Sequence, residues 1–200
     1  VALPQTLGKA GAVKEGLKKV GTSHVFLCDA DLTNLNPAEL AAAVQQILKK
    51  PKLDMIILHR FQDISHMMDE IDENSAIFKL FRMRKIFTNS QWFMSIDRIL
   101  SGERVIKTKL LKNILKGDTS GYSLEAAINQ YCLDQQQKTC WMYSSAVSSI
   151  SLQSLGKIKC LCKYVTMHLK IMLHVGIENY LLQIRSFCKI ECEAVTAPST

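Results

Sequence analysis

Two carboxylates one residue apart, Asp29 and Asp31, close a short apolar run, Val25-Phe-Leu-Cys28. The run reads as a buried strand, and in an open α/β sheet ligands bind beyond the carboxyl ends of the strands. Two hard oxygen donors leaving such a strand suit a divalent cation that also holds a phosphate. On spacing alone an Asp-rich turn is the better account, because Asp is a common turn former. Other residues could do related chemistry. Lys9 follows Gly8 at the start of a helical pattern, where free backbone N–H groups favour an anion. Arg60 ends a second apolar run, and a guanidinium grips phosphate oxygens bidentately. Glu125 opens a later helix, either as a proton acceptor or as an acid stabilised by the helix dipole.

The order of these features resembles glycosyltransferase family 2. Gly8-Lys9-Ala10-Gly11-Ala12-Val13 and Gly16 look like its Gly-Lys-Gly-Gly-Ala turn and helix, leading into the strand that ends in Asp29-Ala30-Asp31. Pro37-Ala-Glu39-Leu40 follows. Ser101-Gly102-Glu103-Arg104-Val105-Ile106-Lys107 resembles the family's Ser-Gly-x-Arg strand, with Glu103 where members usually carry a small or aromatic residue. Gly121-Tyr122-Ser123-Leu124-Glu125 resembles its Gly-Tyr-x-x-Glu helix start. The likeness runs over roughly residues 8–143. It implies a GT-A nucleotide-sugar-binding fold, α/β, with a mainly parallel sheet flanked by helices and basic helices at the C-terminus.

The resemblance also implies roles. Asp29 and Asp31 would bind Mg2+ or Mn2+, with Asp31 also counted among the catalytic residues. Lys9 and Arg60 would neutralise the donor diphosphate beside Asp29 and Asp31. Arg104 and Lys107 would lie close to the acceptor, and Glu125 would act as catalytic base for a hydroxyl acceptor or bind metal or sugar. The implied reaction is inverting transfer from a nucleotide-sugar donor. The acceptor is a polyprenyl phosphate at the membrane, as in the dolichyl- and polyprenyl-phosphate sugar transferases, or a soluble glycan or other hydroxyl. A non-catalytic membrane- or partner-binding module that kept the sheet is the reading from another class. Only seven residues precede Gly8, too few for the family's first β-α-β unit, so the chain is expected to be N-terminally truncated.

Composition agrees with one sizeable core: 48% hydrophobic and 22% charged residues in a chain of 200. The net charge of +7 favours anionic partners. No zinc-finger, RRM or Arg-aromatic pattern argues for nucleic acid. Seven scattered cysteines read as reduced thiols in a cytoplasmic protein, at most at the inner face of a membrane. No uninterrupted run of about 18 apolar residues suggests a spanning helix.

Several elements must hold these residues in place. Helices are expected over 9–20 and from Asn36-Pro37 to about Lys50, with Leu40, Val44, Ile47 and Leu48 buried. Strands are expected at His24–Cys28 (central), Leu53–Leu58 (buried on both faces), within Ile96–Thr108, and at Lys138–Tyr143 (an edge). Residues 61–75 read as an acidic mobile loop or short helix and 76–93 as a basic amphipathic helix, docked or lying in a membrane interface. A short helix at Lys109–Leu115 and another from Gly121 to about Gln136 complete a catalytic domain over 1–150. Residues 151–200 are expected to hold two basic amphipathic helices divided near Gly176 and a tail. Ile158, Leu161, Val165, Leu169 and Met172 line the first, and Tyr180, Leu181, Ile184 and Phe187 the second.

Overall fold

The computed structural model describes residues 8–30, 32–33, 35–60, 99–117, 123–145, 147–148, 157–188 and 190. The order is α1 (Gly8–Leu17), β1 (His24–Leu27), β2 (Leu32–Thr33), α2 (Pro37–Lys49), β3 (Met55–Arg60), β4 (Arg104–Lys107), α3 (Thr108–Ile114), α4 (Ser123–Asp134), β5 (Thr139–Ser144), β6 (Val147–Ser148), α5 (Lys157–Val175) and α6 (Ile177–Cys188). The acidic stretch 61–75 and the basic amphipathic stretch 76–93 lie outside the described residues.

The sheet is mixed, in the order β1-β4-β3-β5. β4 runs antiparallel between β1 and β3, while β3 and β5 are parallel, so β1, β3 and β5 share one direction. β1 and β3 are therefore parallel but not neighbours, because β4 is inserted between them. β1, expected at the centre, is an edge among the described residues. A two-stranded antiparallel sheet joins β2 to β6.

Burial explains β3. Met55, Ile56, Ile57 and Leu58 are all 1% exposed or less, since helices cover both faces. On one face Ile56 and Leu58 meet Ala43 and Ile47 of α2, with Val105 and Met142; Leu48, expected in that stripe, points outward. On the other face Met55 and Ile57 join Leu111, Leu124, Ile128 and Trp141. α2 starts as anticipated: Asn36 Oδ1 accepts from Ala38 N at 3.0 Å and Pro37 occupies the first turn.

α5 and α6 are joined at Gly176, whose φ of +85° is the left-handed conformation that favours glycine after a helix. Both pack on α4 and share its core through Ile171, Tyr180, Ile184 and Phe187. The side chains of Ile158, Leu161 and Val165, expected in the first stripe, lie outside the described residues; of the others, Leu169 and Leu181 face outward, and Ile171 takes an inward position. No described helix is long and apolar enough to cross a membrane.

Candidate active site

The C-terminal ends of β1, β3 and β5 and the N-terminal end of β4 lie along one edge of the sheet. Asp29 leaves β1 there, the Ser101-Gly102 segment enters β4 there, and the first turns of α1 and α4 bring Lys9 and Glu125 to the same place. Lys9 Nζ is 2.5 Å from Asp29 Oδ1 and 2.5 Å from Glu125 Oε1. Two carboxylates from distant parts of the chain thus share one ammonium. Glu125 is 7% exposed, whereas Lys9 and Asp29 remain partly open. Burial alone would lower the Lys9 pKa, but the attraction of Glu125 and hydrogen bonds to both carboxylates outweigh it, and the net direction is upward.

Gly102 forms the floor. A Cβ there would stand 2.5 Å and 2.6 Å from the Asp29 carboxylate oxygens and 2.7 Å from Lys9 Nζ. Only a residue without a side chain lets the cluster close over this backbone.

The floor is itself anchored by Arg104, which is completely buried. Its Nε donates to Ser101 O at 2.7 Å, Nη2 to Ile99 O at 3.0 Å and Nη1 to Asn129 Oδ1 at 2.7 Å. Asn129 Nδ2 donates to the same Ile99 carbonyl at 2.8 Å. Ser101 Oγ donates to Leu58 O at 2.6 Å and to Glu103 Oε2 at 3.2 Å. Burial lowers the Arg104 pKa, and the opposing charges of Glu125, Cys132, Glu103 and Asp29 offset this only in part. Arg104 therefore ties β4 to α4, and it is not the acceptor contact that the resemblance implied. Glu103 likewise turns inward.

Lys107 sits at the other end of β4, opposite His24, where its Nζ donates to Asp54 Oδ1 at 2.7 Å and Pro51 O at 2.9 Å. Strand geometry puts that end roughly 10 Å from Arg104. The structure does not bring Lys107 to the Asp29 cluster, because the run from Arg104 to Lys107 leads away from Asp29. Arg60 ends β3, paired with Ser144 at the site edge, but its side chain, like Asp31, lies outside the described residues.

Sequence reasoning missed the support. Gly102, Ser101, Asn129 and Gln183, whose Oε1 accepts from Asn129 Nδ2 at 3.4 Å, have no role in the resemblance, although a polar Asn129 between Leu124, Ile128 and Cys132 on an apolar helix face was a readable signal. Glu39 was also missed; its Oε2 accepts from Ser145 N at 2.8 Å and fastens α2 to the end of β5.

The donor set fits a divalent cation in kind: Asp29 and Glu125 are hard oxygen ligands already converging on one positive charge. Among the described residues no group of three or more ligating side chains occurs.

The chain matches no protein-family profile and no curated protein sequence. Its fold is similar to that of solved structures of glucosyl-3-phosphoglycerate synthase from Mycobacterium tuberculosis. The complex with Mn2+, UDP-glucose and glycerol 3-phosphate matches at TM-score 0.55 and 16% identity over 94% of this chain. The complex with Mn2+, UDP and glucosyl-3-phosphoglycerate gives 0.54 and 16% over the same share. The complex with Mg2+ and UDP gives 0.51 and 16% over 82% of this chain. The chain spans 58% of the length of the first two proteins and 56% of the third. At this identity the likeness shows the fold, α/β and of the GT-A kind expected, with a mixed sheet where a mainly parallel one was anticipated.

Proposed function

We propose that this chain carries the catalytic domain of a metal-dependent glycosyltransferase that moves a sugar from a nucleotide-sugar donor to an acceptor. The observation that supports this best is the Lys9–Asp29–Glu125 cluster closing over Gly102 at the strand ends. Similar structures in the same fold bind UDP-glucose with Mn2+ and UDP with Mg2+.

In this reading Asp29 and Asp31 hold Mg2+ or Mn2+, which neutralises charge on the departing diphosphate. Lys9 turns from the two carboxylates toward the phosphates and adds a point charge there. Arg60 adds charge beside the same phosphates. Once Lys9 moves, Glu125 is left with an unpaired carboxylate in a mostly buried setting, the condition under which it draws a proton from an acceptor hydroxyl. Attack from the face opposite the nucleotide inverts the anomeric centre. Arg104 is a positioning residue that holds the Gly102 floor.

Glu125 favours a hydroxyl acceptor, since an ionised lipid phosphate needs no base. The basic α5–α6 pair, with Leu169, Leu173, Ile177, Leu181 and Leu182 about half exposed or more, favours a polyprenyl phosphate reached at a cytoplasmic membrane face. Thermal-shift titration with UDP, GDP and their sugars, with and without Mn2+, tests the proposal. A stabilisation that needs both nucleotide and metal and disappears in Asp29→Ala supports it. No stabilisation at millimolar ligand counts against donor binding by this chain and favours the non-catalytic module. Transfer to vesicle-borne polyprenyl phosphate against a soluble phosphorylated hydroxyl compound separates the acceptors.

A further inference from the structure

At the end of the sheet opposite Asp29, a basin of about 600 Å3 opens between the Gly21–His24 turn and α3. Lys107, Lys109, Lys112 and Lys116 line it, with Thr22, Ser23, His24, Thr108 and Asn113, and no carboxylate lines it among the described residues. Lys107 is neutralised by Asp54, and Lys116 Nζ donates to Asn113 Oδ1 at 3.1 Å. Lys109, Lys112 and Lys116 follow one another at spacings of three and four, so they share one face of α3 and its final turn.

Two further groups line the same space. Thr108 is 5% exposed, and its hydroxyl has no hydrogen-bond partner among the described residues. Its backbone N–H is already committed to Ser23 O at 2.9 Å. The buried His24 Nε2 is also without a partner, while its Nδ1 lies 2.9 Å from Ser23 Oγ. Leaving buried polar atoms unpaired costs free energy, and a basin that gathers two of them under like charges favours a ligand that offers acceptors to both.

We propose that this basin is a second anion site, taking a small phosphorylated ligand. The ammoniums of Lys109, Lys112 and Lys116 contact its outer oxygens, and the Thr108 hydroxyl and His24 imidazole reach its inner ones. The Thr108 hydroxyl behind the lysines favours a small ligand over an extended macromolecular surface, which could meet the lysines alone. Lysines supply point charges that tolerate varied phosphate geometry. The site does not depend on the transferase reading, since it shares no residue with the Asp29 cluster.

Calorimetric titration of the full chain with pyrophosphate in EDTA tests the proposal. Metal-dependent donor binding is suppressed under that condition. The expected result is saturable binding that weakens by about tenfold or more in Lys109→Ala/Lys112→Ala, because two charge-assisted hydrogen bonds are removed. Thr108→Val, nearly isosteric, should weaken it by roughly threefold with the melting temperature retained. Lys9→Met should leave it unchanged, as should Lys49→Ala/Lys170→Ala, which removes the same net charge elsewhere. The proposal is overturned by an absence of binding at millimolar pyrophosphate, by loss in Lys9→Met, or by equal loss in the charge-matched pair. Sedimentation with phosphatidic acid vesicles that depends on Lys109 and Lys112 while pyrophosphate fails to bind would assign these lysines to a lipid surface and likewise overturn it.

Discussion

At the scale of single residues the site depends on what is absent at position 102. A methyl there would overlap the Asp29 carboxylate and the Lys9 ammonium. Both are the far ends of flexible side chains, so they can move aside at little cost to folding. Gly102→Ala should therefore keep stability within about 1–2 kcal/mol of the parent. Metal-dependent nucleotide affinity should still fall by roughly tenfold or more, as measured by calorimetry. Lys9→Met should also weaken nucleotide binding, and its stability effect has a readable sign. The Lys9 pKa is raised in the folded state, so its contribution is complete below about pH 10.5 and is lost as pH rises through the folded value. Denaturant titrations of parent and Lys9→Met should run parallel through neutral pH and converge only in strong alkali.

Between elements, the decisive contact is the buried guanidinium of Arg104 between β4 and α4. Arg104→Met removes the donors to Ser101 O, Ile99 O and Asn129 and leaves these acceptors in a dry interior. A loss of roughly 3–5 kcal/mol is expected by chemical denaturation. Asn129→Leu should cost less, because two of the three guanidinium donors keep their partners. The α5–α6 contact carries its own pH dependence. His168 is hydrogen-bonded to Tyr180 OH, and burial pushes its pKa down to about 4 from the usual 6.5. The neutral form is favoured in the folded state, so this contribution is present above pH 6.5 and is lost as pH falls toward 4. A stability loss of up to about 3 kcal/mol across that window should flatten in His168→Gln, read as the denaturation midpoint against pH.

For the whole molecule, opposite ends of one short sheet carry opposite chemistry. The strand ends near Asp29 gather two carboxylates around a lysine, and the far end gathers lysines without a carboxylate among the described residues. The α5–α6 pair docks by one stripe and leaves a second apolar stripe exposed. If that stripe meets lipid, Leu173→Ser/Ile177→Ser should reduce sedimentation with anionic vesicles and leave the melting temperature within a few degrees, since both side chains are more than half exposed. Unchanged sedimentation would leave the soluble acceptor as the better reading.

Much of the architecture was legible because it follows from local chemistry. The Asn36-Pro37 helix start, the apolar runs that become β3 and β5 and the break at Gly176 all rest on capping, periodicity or backbone freedom within a few residues. Asp29, Lys9 and Glu125 could be singled out from residue type and position, but not their meeting at one ammonium. What remained to the tertiary structure was direction and company. Whether Arg104 faces a ligand or a core depends on the strands and helix packed around it, and Lys107 lies far from Asp29 because β4 runs antiparallel between β1 and β3. Leu169 and Leu181 show the same limit, since helical spacing defines an apolar stripe but not which stripe finds a partner. Pairings between residues distant in the chain are set by how the whole core closes, so no short window of sequence contains them.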